Sequence, residues 1–263
     1  MWHVFCRIEN SIILIFHDMT EKELYEAIKR GDQRVVNEKE RGLYSVLPAL
    51  MRKVYIWMTL ALVITAVAAY GVASSPNLLM TIYSSSGVVW GLVIAEFILV
   101  IAISAAINKL SLSTATLLFI LYSALNGVTL SSIFILFSVD TIGKVFLITA
   151  AMFGVMAIYG YTTKRDLSSL GKVLFMALIG LVIATLVNIF LRSAMFDYVL
   201  SYIGVIVFTG LTAWDTQKIK QMLQTQYDMT EGAQKLALLG ALTLYLDFIN
   251  LFLYLLRIFG HKE

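Results

Sequence analysis

LALLGALTLYLDFINLFLYLL, residues 236–256, holds one charged side chain in 21 positions, Asp247 at the twelfth. A helix needs about 20 predominantly apolar residues to cross a bilayer core of about 30 Å. Lipid offers the backbone no hydrogen-bond partner, so only a helix or a closed barrel can cross it. Barrel strands alternate in character over about ten residues, whereas this run is continuously apolar. The stretch therefore reads as a membrane-spanning helix with a carboxylate near mid-bilayer.

The rest of the chain agrees. Of 263 residues, 59% are hydrophobic and 14% charged, and the mean hydropathy is +0.83. Ordinary soluble domains carry about 25% charged residues. The single cysteine, Cys6, rules out an internal disulfide framework or a Cys-cluster zinc site. The net charge of +3 is small and scattered, which argues against nucleic-acid binding.

The charge map outlines the architecture. Residues 1–53 hold 17 charged side chains, the 161 residues from Val54 to Trp214 hold ten, and the last 49 hold ten. Seven helical spans fit: Val54–Ala73, Gly87–Ile107, Leu112–Phe137, Val145–Thr163, Val173–Leu191, Tyr198–Trp214 and Leu236–Leu256. The sixth is short and is expected to run past Trp214. The fold class is an all-α polytopic membrane protein. A charged tail over 1–53, a transmembrane domain over 54–257 and a short tail over 258–263 are its divisions.

Near the N-terminus, Asn10–Phe16 is too short to span and lacks a small-residue cleavage site, so it does not read well as a signal peptide. Met19 precedes the helix start Thr20-Glu21-Lys22-Glu23, which makes Met1–Asp18 a candidate over-extended start. Orientation follows from the Lys and Arg residues of the short loops. With the N-terminus cytoplasmic, nine basic residues lie inside and four outside, which favours N-in and C-out.

Carboxylates inside apolar spans are the informative exceptions. A charge at a helix centre costs about 2.5–3.5 kcal/mol on insertion scales, so such a residue faces protein, pairs, or changes protonation. Glu96 sits at the tenth position of the second span, and Asp215 closes the sixth on the cytoplasmic side. Asn250 and Tyr254 share a helix face with Asp247. Asn126 and Asn188 are mid-span amides, read as hydrogen-bond links between helices. All three histidines, His3, His17 and His261, lie outside the spans, so an intramembrane zinc protease or Ser/His dyad is excluded. No phosphate loop of the form GxxxxGK[ST] occurs. Neither catalysis nor a cofactor is expected.

Gly160–Ser168 (GYTTKRDLS), Phe208–Lys220 (FTGLTAWDTQKIK), Leu244–Gly260 (LYLDFINLFLYLLRIFG) and Ala124–Ser132 (ALNGVTLSS) resemble the signature stretches of the Bax inhibitor family, most closely its bacterial members. The resemblance runs from about Leu47 to Gly260. It implies a seven-helix bundle with the seventh helix at the centre, in a bacterial inner membrane. It also implies a pH-sensitive calcium leak gated by an aspartate pair, with Asp215 and Asp247 at the motif positions. Calcium would be the permeant ion, touching the two aspartates only transiently. Bacterial relatives can carry a second-helix arginine that latches the sixth-helix aspartate. Here the stretch reads Ala105-Ala106-Ile107-Asn108-Lys109, so Lys109 is the available cation, a point charge without arginine's planar fork. Glu96 and Asn250 are the candidates for the ion path.

Three other readings compete. A presenilin-type protease is disfavoured, because Trp214 precedes Asp215 and Leu244-Tyr245-Leu246-Asp247 stands where GxGD would be. A proton-coupled transporter would use midplane carboxylates, but no inverted repeat is visible. A non-transporting regulator of a membrane-anchored quality-control protease would use the charged tail Met19–Lys53 as its contact surface. The expected partners are the lipid bilayer, calcium ions and protons, with the protease in that last reading.

Overall fold

The computed structural model describes residues 33–226 and 228–260, with side chains from 46 onward. Every described element is a helix: α1 (Gln33–Ala73), α2 (Pro76–Tyr83), α3 (Ser86–Ala106), α4 (Leu112–Leu130), α5 (Ile133–Leu136), α6 (Val139–Thr162), α7 (Ser168–Leu191), α8 (Ala194–Gln224) and α9 (Glu231–Phe259). Seven stretches are long and apolar enough to span a membrane: Val46–Ala73, Ser86–Ala106, Leu112–Leu136, Val139–Thr162, Ser168–Leu191, Ala194–Gln224 and Glu231–Phe259. Each expected span is present, with shifted ends. The sixth continues past Trp214 to Gln224, ten residues beyond its expected end. Gln221–Gln224 is thus part of that helix, and Thr225 caps it.

Two features lie outside the expected pattern. The short helix α2 fills the connection between the first two spans, started by Pro76 in its first turn, where a missing N–H costs nothing. Helix α1 runs unbroken across Lys53 and includes Pro48, so the boundary drawn at residue 53 is not a break in the helix. The candidate start at Met19 and the patch Asn10–Phe16 lie outside the described residues.

Local chemistry sets the helix starts. Ser111, Ser138, Ser193 and Thr230 each accept a backbone N–H three residues on, at 3.1–3.3 Å, satisfying a donor the helix cannot. Asp140, Asp197 and Glu231 place negative charge in first turns, where the helix dipole favours it.

Burial is distributed unequally. In the most apolar window of α9, 67% of the residues are buried, against 6% for α3 and α7. Helix α9 packs against α8, α1, α6 and α4. Its Leu238, Ala241, Leu244, Tyr245 and Leu251 are fully buried. The outer helices are apolar all round and leave large side chains such as Ile98, Ile183 and Phe190 exposed. That is the surface of a helix in lipid.

Two glycines let α8 come close to its neighbours. A Cβ on Gly160 of α6 would strike the carbonyl of Ala213, and one on Gly171 of α7 would strike the ring of Trp214. Small residues allow this kind of contact between membrane helices. Both contacts fall on the two residues that precede Asp215, so they fix its position.

Candidate functional site

Asp247 lies on α9 and is 5% exposed. Asp215, on α8, is half-buried, and its carboxyl lies near enough to that of Asp247 for the two to interact electrostatically. A carboxylate only accepts, so a hydrogen bond between two carboxyls needs a proton on one of them. Oδ2 of Asp247 is buried and meets no donor among the described residues. The nearby hydroxyls are committed to their own helix: Thr212 donates to Phe208 O at 2.8 Å and Thr216 to Thr212 O at 2.7 Å.

The cation whose charge acts on Asp215 is Lys218, one turn further along α8, which also lies 5.3 Å from the centre of the Trp214 ring. Lys109 is exposed in the turn that follows α3. Lys218 was not singled out in the sequence because it sits in a polar loop-like stretch, and only the extension of α8 makes it a neighbour of the aspartate.

Glu96 belongs to a second polar centre. It accepts from Thr129 Oγ1 at 2.6 Å and from Asn126 Nδ2 at 3.3 Å. Asn126 Oδ1 accepts from the Tyr245 hydroxyl at 3.0 Å, and that hydroxyl lies 2.7 Å from Thr65 Oγ1. The chain of contacts therefore crosses α3, α4, α9 and α1. Phe119 and Tyr122 enclose it, with ring centres 5.9 and 5.8 Å from that of Tyr245.

Tyr245 and Asp247 are two residues apart, about 3 Å along the axis and roughly 200° around it. They leave α9 on opposite sides at nearly one depth. One side carries the carboxyl pair toward α8, and the other carries the Glu96 network toward α1, α3 and α4. Tyr245, Thr65 and Thr129 escaped the sequence reading because a single Tyr or Thr in an apolar helix breaks no rule.

The remaining candidates have local partners. Asn250 is half-buried and donates to Leu246 O at 2.8 Å, within its own helix. Asn188 accepts from Ser193 N at 3.2 Å, closing the end of α7. The link expected between helices is thus a cap, because Asn188 lies one turn from a helix end where Arg192 turns left-handed. At the far end of α8, Asp197 pairs with Arg257 at 3.4 Å. Among the described residues, no group of three or more His, Cys, Asp or Glu side chains could hold a metal ion.

The fold defines an integral multi-pass membrane protein. Residues 47–263 match the family model described as inhibitor of apoptosis-promoting Bax1, and the chain belongs to the Bax inhibitor family. It is 54% identical over 219 residues to inner membrane protein YbhL of Escherichia coli K12, covering 82% of this chain and 93% of that one. An uncharacterized protein of Borreliella burgdorferi is 47% identical over 213 residues, covering 81% and 92%. A membrane protein of Streptococcus pyogenes is 44% identical over 187 residues, covering 71% and 80%.

Proposed function

We propose that this protein is a pH-sensitive calcium leak of the bacterial inner membrane, gated by Asp215 and Asp247. The observation that supports the reading is a buried carboxyl, Asp247, that interacts with a second carboxyl, Asp215, on another helix. Such a pair is held together by the proton it shares. Loss of that proton leaves two like charges, which repel by about 4 kcal/mol at about 4 Å and an effective dielectric of about 20. That is enough to bias the contact between the two helices. The oxygens freed by the proton can meet a calcium ion in passing. Calcium needs six to eight oxygens for stable binding, more than two carboxyls supply, so the contact is transient.

Lys218 sits where it tunes the pair, and Lys109 is the candidate latch at the end of α3. Glu96, bonded to Asn126 and Thr129 on one side of α9, and Asn250, on the Asp247 side, are the candidate residues of the ion path. The N-terminus is cytoplasmic and the C-terminus external, on the count of nine basic residues against four.

Calcium flux into proteoliposomes of the purified protein, followed across pH, tests the reading. The wild type shows a pH-dependent leak, and Asp247→Asn a leak that varies little with pH. Collapse of flux in Asp247→Asn at every pH would instead indicate a proton-coupled transporter. Flux absent from the wild type, together with co-purification of a membrane protease that tail deletion abolishes, would indicate a regulator.

A further inference from the structure

The connection between α6 and α7 carries Lys164, Arg165 and Asp166 in succession. It is tied to α8 at several points. Gln217 Nε2 donates to Arg165 O and its Oε1 accepts from Leu167 N, both at 2.8 Å. Lys220 Nζ donates to Tyr161 O at 2.8 Å and covers the Tyr161 ring at 4.9 Å. A short loop held this firmly is preorganised for a ligand rather than shaped by one.

Between the loop and α8 lies a cavity of about 160 Å³, lined by Lys164, Arg165, Asp166 and Lys220, with Gln221 and Gln224 at its far wall. Three cations face one carboxylate. That carboxylate is already engaged, since Asp166 Oδ1 accepts from Ser168 N at 2.9 Å. The Ser168 hydroxyl first, then this backbone bond and the charge of Lys172, hold the exposed Asp166 carboxyl below its ordinary range. Lys220 keeps further donors, since an ammonium has three.

The notch sits at the membrane boundary, between Thr162 at the end of one span and Ser168 at the start of the next. Ile158, Leu170 and Val173, on the two helices that the loop joins, are exposed apolar side chains. We propose that this notch binds a phosphate group, and that the group is the headgroup phosphate of an anionic phospholipid whose chains lie along the apolar wall below. Arginine matches a phosphate with two parallel hydrogen bonds, and lysine adds point charge. Basic pockets between membrane helices hold anionic headgroups in this way. The inference does not depend on the calcium reading.

Native mass spectrometry of the purified full chain tests it, with phosphatidylglycerol and phosphatidylcholine offered in equal amounts. The wild type retains phosphatidylglycerol preferentially. K164Q/R165Q lowers that preference roughly thirtyfold, about the contribution of two basic side chains at an anionic surface. Both replaced side chains are exposed, so the thermal midpoint of K164Q/R165Q stays that of the wild type. K144Q/R192Q, which removes two positive charges from the opposite end, keeps the wild-type preference. An unchanged preference in K164Q/R165Q, or an equal loss in K144Q/R192Q, would overturn the site. Inorganic phosphate that binds the notch while phosphatidylglycerol does not would keep the phosphate site and overturn its lipid source.

Discussion

Asparagine is nearly isosteric with aspartic acid, so Asp215→Asn and Asp247→Asn keep hydrogen-bonding capacity at the α8–α9 contact and lose only the titration. Both variants are expected to insert and fold. Tyr245→Phe is a sharper structural probe, because it strips the donor from Asn126 Oδ1 and one of three partners from Thr65 Oγ1. An unpaired buried acceptor costs about 1–3 kcal/mol, and a lowered midpoint of thermal unfolding in detergent checks this. Glu96→Gln keeps an oxygen for Thr129 but turns an amide donor toward Asn126 Nδ2 or forces a flip. It is expected to lower calcium flux while sparing the pH response, and unchanged flux returns Glu96 to a purely structural part. Asp247 could be picked out of the sequence because a lone charge in 21 apolar residues demands an explanation. Tyr245, two residues before it, makes no such demand. Only the opposite faces of α9 show that the two serve different polar centres.

At the scale of elements, close packing of α8 depends on residues that have no side chain to notice. Gly160→Leu would drive a side chain into the Ala213 carbonyl and separate α6 from α8 just before Asp215. Overpacking of this kind costs about 1–3 kcal/mol. The same substitution at Gly180, where nothing lies within 4 Å, is expected to be silent. Thermal unfolding of the two variants side by side checks the contrast. Helix existence was legible from the apolar runs, because hydrophobic length is what a bilayer selects. Helix ends were less so. Helix α8 continues to Gln224 through Lys218 and Lys220, since outside the hydrocarbon region a polar sequence can stay helical while its buried face, with Ile219 and Leu223, still packs. Helix α2 was missed because eight residues that open on Pro76-Asn77 look like a connection.

Across the whole molecule, burial rises from the lipid-facing α3 and α7 to the deeply packed α9. The polar groups that cost most in lipid sit on the two sides of that most buried helix. Reporter fusions at Glu263 test the orientation, and an external signal is expected there. A cytoplasmic signal would overturn either the count of spans or the direction of the first. The central claim is that a proton shared between Asp215 and Asp247 sets the leak. It is tested most directly by calcium flux into proteoliposomes from acidic to mildly alkaline pH, comparing wild type with Asp215→Asn and Asp247→Asn. A pH-dependent flux is expected in the wild type and a nearly flat one in each variant. A variant that keeps the full wild-type pH dependence would contradict it and leave the two aspartates as structural hydrogen bonding alone.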